Sequence, residues 1–153
     1  MILRPGVRIA VDVGSVRVGL ARCDRDAILA TPIATLERAT AVAQVIQVAA
    51  ELDVLEIYVG LPLGMRGNLG SAAELAQDFA RELAVSLRAT PIRLVDERLS
   101  TVTAERGLKA AGRSGRTSRP VVDQAAAVVI LEHALALERA QGVAPGTLVV
   151  EVP

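Results

Sequence analysis

The first forty residues constrain the fold most, because two extended segments follow each other with almost nothing between them. Residues 7–14, VRIAVDVG, are β-branched and apolar up to Asp12 and then meet a glycine, which is typical of a buried strand ending in a turn. Residues 16–24, VRVGLARCD, alternate in character and predict a second strand. The short connection through Gly14 and Ser15 predicts that the two strands pair as an antiparallel hairpin.

The next hundred residues alternate between helical and extended patterns. Residues 28–37 form a third extended segment, in which Pro32 favours an edge strand or a bulge. Helical spacing then begins at Thr40, a predicted N-cap, and Ser71 with Glu74 predicts a capping box at the start of another helix. The complete prediction after residue 37 is a helix over 40–53, a strand over 54–62, a helix over 71–88, a strand over 91–97, a short helix over 100–111, a loop over 112–120, a long helix over 120–139, and a short strand or ordered tail over 146–153.

This order of elements predicts an α/β fold with a mixed five-stranded sheet, in which the first three strands are antiparallel and helices cover both faces. A chain of 153 residues fits one domain, 1–153. No apolar run approaches the roughly 18 residues that span a bilayer, and the N-terminus lacks the apolar core of a secretory signal. We therefore expect no membrane partner and a cytoplasmic location. The single cysteine, Cys23, agrees with a reducing compartment and is not expected to be catalytic.

The net charge is zero, which argues against a general polyanion binder, but the charges are unevenly distributed along the chain. Between positions 98 and 119 the one acid, Glu105, is outnumbered by basic residues. The segment 37–56 has the opposite balance, with four acids against Arg38. One face of the domain is therefore predicted to dock phosphates. The basic residues of the first segment are Arg98, Arg106, Lys109, Arg113, Arg116 and Arg119.

Three acidic residues stand at the ends of predicted elements. Asp12 ends the first strand, Glu97 ends the strand over 91–97, and Asp123 lies in the first turn of the last long helix. Ligand sites in open α/β sheets gather beyond the carboxyl ends of the strands. The small side chains of Ala126 and Ala127 would let the helix approach the sheet closely and bring Asp123 to the same place. The three acids are thus predicted to share one crevice.

Each acid also has a structural interpretation. Asp12 could accept hydrogen bonds from its own turn, Asp96 and Glu97 could cap the helix predicted after them, and Asp123 could compensate a helix dipole. As a set, the acids favour Mg²⁺ or Mn²⁺, since zinc sites use His and Cys clusters. Two such ions about 3.5–4 Å apart would need three or four carboxylates, and Asp96 is the candidate fourth ligand or outer partner.

Four stretches together resemble the YqgF (RuvX) family, a ribonuclease H-like group related to Holliday junction resolvases. The resemblance implies a ribonuclease H-like fold and a metal-dependent nuclease in which Asp12, Glu97 and Asp123 are the catalytic, metal-binding acids. It implies processing of the 5′ end of pre-16S rRNA in ribosome biogenesis, or resolution of four-way DNA junctions. The stretches are DVGSVRVGLA (12–21), VGLPLGMRGNLGSAAELAQDFA (59–80), DERLSTVTAERGL (96–108) and VDQAAAVVIL (122–131).

The leading hypothesis is phosphodiester hydrolysis by metal-activated water, with the arginine-rich loop holding the nucleic-acid backbone. Family members usually carry lysines in this loop, whereas this chain has arginines, which also pair with phosphate. RNA and branched DNA both remain open as partners, as do a monomer and a homodimer. The rival hypotheses are an actin-like ATPase and a non-catalytic RNA-binding module. The predicted nucleic-acid contacts are Arg113, Arg116 and Arg119, with Arg17 and Arg98 as secondary phosphate contacts.

Overall fold

A computed structural model describes residues 3–64, 66–97 and 115–150, with only the backbone of 115–122. Six strands form one sheet in the order β3-β2-β1-β4-β5-β6. The described part of the chain also contains three helices. The elements, in chain order, are β1 (Arg8–Val13), β2 (Arg17–Cys23), β3 (Ala30–Glu37), α1 (Arg38–Leu52), β4 (Glu56–Leu61), α2 (Ser71–Ser86), β5 (Ile92–Asp96), α3 (Gly115–Gln141) and β6 (Thr147–Leu148).

The pairing of the strands follows the sequence prediction. β1 pairs antiparallel with β2, which pairs antiparallel with β3, whereas β4 and β5 run parallel to β1. β3 is an edge strand, and its register shifts opposite Leu20 and Ala21, next to Pro32. The proline therefore sits at an edge and beside a bulge, as predicted. The two-residue β6 pairs antiparallel with β5 and makes the described sheet six-stranded, so the prediction of five strands was one short.

Helices cover both faces of the sheet, because successive strand residues alternate between two cores. In β1, Ile9, Val11 and Val13 belong to the core under α1 and α2. Ala10 belongs to the opposite core, which contains Ala127 and other buried residues of α3. The even-numbered residues of β1, including Asp12, therefore face α3. No helix among the described residues is long and apolar enough to cross a membrane.

Two predicted helix caps were wrong. α1 begins at Arg38 with Glu37 as N-cap, so Thr40 lies inside the helix, where its hydroxyl donates to Gln44 Oε1. The N-cap of α2 is Gly70, and no side chain among the described residues caps this helix. Ser71 is its first helical residue, one position too late to act as the cap. In both cases the backbone enters the helix earlier than the capping residue types suggested.

The start of the last helix was also predicted wrongly. α3 begins at Gly115, so part of the predicted loop 112–120 is helical and Asp123 lies two turns into the helix. Pro120 did not mark the helix start, since a proline removes one backbone donor without requiring the preceding residues to be loop. The dipole interpretation of Asp123 loses its basis, because that effect is confined to the first turn. The helix predicted over 100–111 lies outside the described residues.

A buried ion network joins the N-terminal segment, the sheet and α3 at the end of the sheet away from Asp12. Glu138, 4% exposed, accepts from Arg4 and from the fully buried Arg8. Glu56 accepts from Arg4, Arg93 and the Tyr58 hydroxyl. Charges in a core are tolerated when they are paired and hydrogen-bonded in this way. The far-end network, defined as Arg4, Arg8, Glu56, Arg93 and Glu138, therefore fixes the C-terminal half of α3 against the sheet.

Candidate active site

Asp12 is placed by the hairpin of β1 and β2. It is the fifth residue of β1, directly opposite Gly19 of β2, and its side chain shares the α3 face of the sheet with Ala10. The turn after it is closed by a hydrogen bond from Gly14 N to Arg17 O of 2.9 Å. The sequence thus holds Asp12 on a rigid strand, one residue before the turn.

Glu97 follows β5 and shares the α3 face with Val95, which belongs to the same core as Ala127. Its backbone N–H donates to Leu61 O at 3.3 Å, so the pairing with β4 extends one residue beyond the strand. The residue is 4% exposed, and within the described part of the chain its Oε2 is buried without a hydrogen-bond partner. A buried carboxylate oxygen that lacks a partner is costly, which marks this atom as a place where a cation or proton would bind favourably.

Asp123 reaches the same end of the sheet from α3. Arg17, at the start of β2, donates from Nε to Asp123 Oδ2 at 3.1 Å. On the neighbouring residue, Gln124 Nε2 donates to Thr35 Oγ1 of β3 at 3.0 Å. These two contacts fix the rotation of α3 over the hairpin and direct Asp123 toward β1 and β2.

Two glycines permit this close approach. A Cβ added to Gly19 would lie 2.0 Å from the carbonyl oxygen of Asp123, so α3 packs directly on the β2 backbone. A Cβ added to Gly60 would lie 2.4 Å from Glu97 Oε2 and 2.5 Å from Ile130 Cδ1. Any larger residue at either position would displace the helix or the carboxylate. The acidic site is defined as Asp12, Glu97 and Asp123. Its geometry therefore depends on the absence of side chains at Gly19 and Gly60.

The electrostatics link the three acids in a chain. Burial, and then repulsion by Asp123, raises the pKa of Asp12 to about 7. Burial raises the pKa of Glu97 to about 8, with further contributions from the charges of Asp12 and Asp96. A cation bound here would be favourable, since it would stabilise the charged forms of Asp12 and Glu97.

The fit to a divalent cation is carried by the buried oxygen of Glu97 and by the oxygen-only donor set. Within residues 3–64, 66–97 and 115–150, no three His, Cys, Asp or Glu side chains already form a group that could hold a metal ion. Asp123 is directed toward Arg17 instead. The residues are of the right kind and at the same end of the sheet, and binding would require Asp123 to exchange its partner.

Of the other predicted site residues, two have side chains that the structure describes at the acidic site, and four do not. Arg17 lies at the acidic site, and Asp96 is close enough to Glu97 to raise its pKa. Arg98 and Arg113 lie outside the described residues, whereas positions 116 and 119 lie on the backbone of α3. Cys23 is buried and accepts from Arg8 N at 3.3 Å, and burial raises the pKa of its thiol. This environment is typical of an inert cysteine and agrees with the expectation that Cys23 is not catalytic.

Sequence reasoning missed the residues that support the acids. These residues are Gly19, Gly60 and Gln124. Their side chains are not of the types that act as catalytic groups, so a search for such groups passes over them. A usable signal existed for the glycines, because an isolated glycine inside a strand pattern indicates close approach of another backbone or ligand. Gln124 carries no such signal, since its role depends on which side chain of β3 lies opposite.

The family comparison decides the identity of the chain. Residues 6–137 match the model of RuvX, described as a Holliday junction resolvase. The chain belongs to the RuvX family. A relative from Clavibacter michiganensis is 50% identical over 151 residues, covering 96% of this chain and 93% of the relative. One from Streptomyces coelicolor is 47% identical over 147 residues, covering 94% and 88%. Both relatives are provisionally named pre-16S rRNA nucleases.

Solved structures place this RuvX chain in a known fold. RuvC of T. thermophilus, in a complex with a Holliday junction substrate, matches with a TM-score of 0.58 and 18% identity, covering 94% of this chain and 99% of RuvC. At that identity the likeness concerns the fold alone. RuvC is ribonuclease H-like, so the predicted fold class is confirmed, with the sixth strand as the difference.

The raised pKa values predict how the stability of the metal-free RuvX chain depends on pH. The folded protein holds protons on Asp12 and Glu97 up to about pH 7 and 8, whereas the unfolded chain releases them near pH 4. The unfolded state therefore binds fewer protons in this window, and the free energy of unfolding falls as pH rises from 5 to 8, by a few kcal/mol. Urea unfolding in EDTA across this range measures it.

Glu97→Gln should reduce this fall, because the variant has no proton to lose at that position. Glu132→Gln, at an exposed position of α3, is the matched control and should retain the full fall. A metal-free wild type whose stability stays constant or rises between pH 5 and 8 would contradict the raised pKa values.

Proposed function

We propose that this chain is a metal-dependent nuclease that hydrolyses phosphodiester bonds by activated water. The single observation that carries the proposal is the convergence of the partly buried Asp12, the buried Glu97 and Asp123 at one end of the sheet, with Glu97 Oε2 left without a hydrogen-bond partner among the described residues. A solvated acidic patch would leave Asp12 and Glu97 near their ordinary pKa values, whereas both pKa values are raised. Burial without internal compensation is the condition that a cation-binding centre requires.

In this proposal Asp12, Glu97 and Asp123 hold Mg²⁺ or Mn²⁺, and Asp96 is an outer partner or fourth ligand. The bound ion supplies the activation of water and the stabilisation of the leaving oxygen. Asp12 and Glu97 hold fixed positions because they lie on or directly after paired strands. Asp123 is adjustable, because the side chain that it contacts is itself partly exposed.

The nucleic-acid backbone is proposed to bind along the start of α3 and the hairpin. Positions 116, 119 and 123 follow the i, i+3, i+7 spacing of one helix face, so two arginine positions precede Asp123 on that face. With Arg17, Arg98 and Arg113 they form the proposed phosphate contacts. Arginine pairs with phosphate through two parallel hydrogen bonds, which would orient the scissile bond over the acids.

Pre-16S rRNA is the proposed substrate, in 5′-end processing during ribosome biogenesis in the cytoplasm. The two relatives at 50% and 47% identity, named for that RNA, support it. Four-way DNA junctions are the second candidate, favoured by the description of the family that matches residues 6–137. A junction would suit a homodimer, since a two-fold symmetric substrate matches a two-fold symmetric protein.

The test incubates the purified protein with labelled pre-16S rRNA leader, duplex DNA and a four-way junction in Mn²⁺, each beside Glu97→Gln. We expect cleavage of the RNA by the wild type and a loss on the order of a hundredfold or more in the variant, because the buried oxygen is replaced by an amide that binds cations poorly. Preferential junction cleavage would instead favour the second candidate.

Two outcomes would contradict the nuclease proposal. Nucleic-acid binding without cleavage in either metal would favour a non-catalytic binding module. Tight ATP binding without nucleic-acid affinity, measured by calorimetry, would favour the actin-like ATPase. Glu132→Gln, exposed on α3, is the matched charge control and should cleave like the wild type.

A further inference from the structure

Among the described side chains, Arg17 is the cation that Asp123 contacts. Its Nε lies 3.1 Å from Asp123 Oδ2, and the two side chains are 35% and 23% exposed. An ion pair that is partly open to solvent is weak, with a median contribution of about 0–1 kcal/mol, so it can exchange for another charged partner. The contact orients the Asp123 side chain, but it is weak enough to be replaced by another contact.

Two backbone interactions hold Arg17 in the hairpin. Its carbonyl accepts from Gly14 N at 2.9 Å, and the residue pairs with Glu37 in the sheet. Breaking the ion pair therefore requires only rotation of the Arg17 side chain. The displaced guanidinium would remain within one side-chain length of the acidic site, because the Arg17 backbone is hydrogen-bonded in the hairpin.

Among the described residues, Asp12, Glu97 and Asp123 are not yet grouped as ligands of one ion, so Asp123 has to turn toward the other two acids to bind it. This turn carries its Oδ2 away from Arg17 Nε. The guanidinium then has its donors free, and an anion beside the bound ion is its natural partner. A phosphate group of a nucleic-acid backbone has the required charge and geometry.

We propose that Arg17 is an exchange residue, which neutralises Asp123 in the metal-free protein and is released to a substrate phosphate when a divalent ion binds. The inference rests on the proposed function, since it assumes that the acidic site takes an ion. It goes further by making metal binding and phosphate binding mutually dependent. Arg17 opposes the ion when no substrate is present and supports the substrate once the ion is bound.

The test measures Mn²⁺ binding without nucleic acid, by the electron paramagnetic resonance signal of free Mn²⁺. Arg17→Gln should bind Mn²⁺ about two- to fivefold more tightly than the wild type, because the competing cation is gone. Arg17→Lys should lie between them. Arg25→Gln, an exposed arginine in the turn at the other end of β2, is the matched control and should change the affinity less than twofold.

The second measurement follows binding of a short RNA duplex by fluorescence anisotropy, in EDTA and in Ca²⁺, which has the same preference for oxygen ligands. Ca²⁺ should strengthen RNA binding by the wild type. Arg17→Gln should lose most of that increase, since it has no guanidinium to release. A merely structural role for Arg17 would lower stability and metal affinity together and would not tighten Mn²⁺ binding.

The outcomes separate this inference from the nuclease proposal. If the wild type cleaves nucleic acid but Arg17→Gln binds Mn²⁺ no more tightly, the exchange is overturned and the nuclease stands. If Mn²⁺ binding tightens as expected while no substrate is cut, the exchange stands and the nuclease proposal fails. Absence of Mn²⁺ binding in both proteins overturns the exchange as well.

Discussion

Asp12→Asn should abolish cleavage, with a rate loss on the order of a thousandfold or more, and should leave the metal-free protein more stable than the wild type at pH 8. Asp12 is partly buried on a paired strand, and its pKa is raised to about 7 by desolvation and by the charge of Asp123. At pH 8 the wild type must keep this poorly solvated carboxylate charged. An amide of the same size removes that cost, which is worth roughly 1–3 kcal/mol.

The opposite signs of the two effects make this result specific. Rates are measured by single-turnover cleavage in Mn²⁺, and stability by urea unfolding in EDTA at pH 8. Asp26→Asn, in the exposed turn after β2, is the matched control and should change neither quantity appreciably. A variant that cuts at the wild-type rate would refute the role of Asp12, and one that loses stability would refute the cost of its burial.

Gly19→Ala should cause the other large effect, a loss of about 3 kcal/mol or more in stability together with loss of cleavage. The added methyl group would lie 2.0 Å from the carbonyl oxygen and 2.4 Å from the carbonyl carbon of Asp123. Both are backbone atoms of α3, so no side chain can rotate away to make room. The helix must move outward, carrying Asp123 away from Asp12.

Gly70→Ala is the matched control, because a Cβ at Gly70 meets nothing within 4 Å and its φ of −118° suits any residue. Thermal unfolding and Mn²⁺ binding should be measured on both variants. We expect Gly70→Ala to bind Mn²⁺ like the wild type. A Gly19→Ala protein with normal stability and normal Mn²⁺ affinity would show that the helix does not rest on β2 as described.

The hairpin of β1 and β2 and the parallel strands were predictable, because strand alternation and turn residues are local properties of the sequence. The residues at which the helices begin were less predictable. Thr40 stands three positions after the true N-cap of α1, and Ser71 stands one position after that of α2. A residue type indicates that a cap is near, but the backbone decides which residue it is.

The placement of Asp12, Glu97 and Asp123 at one end of the sheet followed from topology, since the carboxyl ends of β1 and β5 meet there. The contact between Arg17 and Asp123 could not be predicted in the same way. It joins residues that are 106 positions apart, and it depends on the exact separation of α3 from β2, which Gly19 sets. The roles of Arg98 and Arg113 remain predictions.

The far-end network gives α3 an unequal electrical environment along its length. Glu138 and Asp123 are 15 residues apart on one helix, or about 22 Å. Around Glu138, positive groups of the same chain satisfy every buried negative charge in the network, so nothing from solution is needed there. Around Asp123, three acids face one counter-charge among the residues that the structure describes, that of Arg17. We therefore expect cations from solution to accumulate near Asp123 and not near Glu138. This difference should persist when salt screens the charges of the exposed surface.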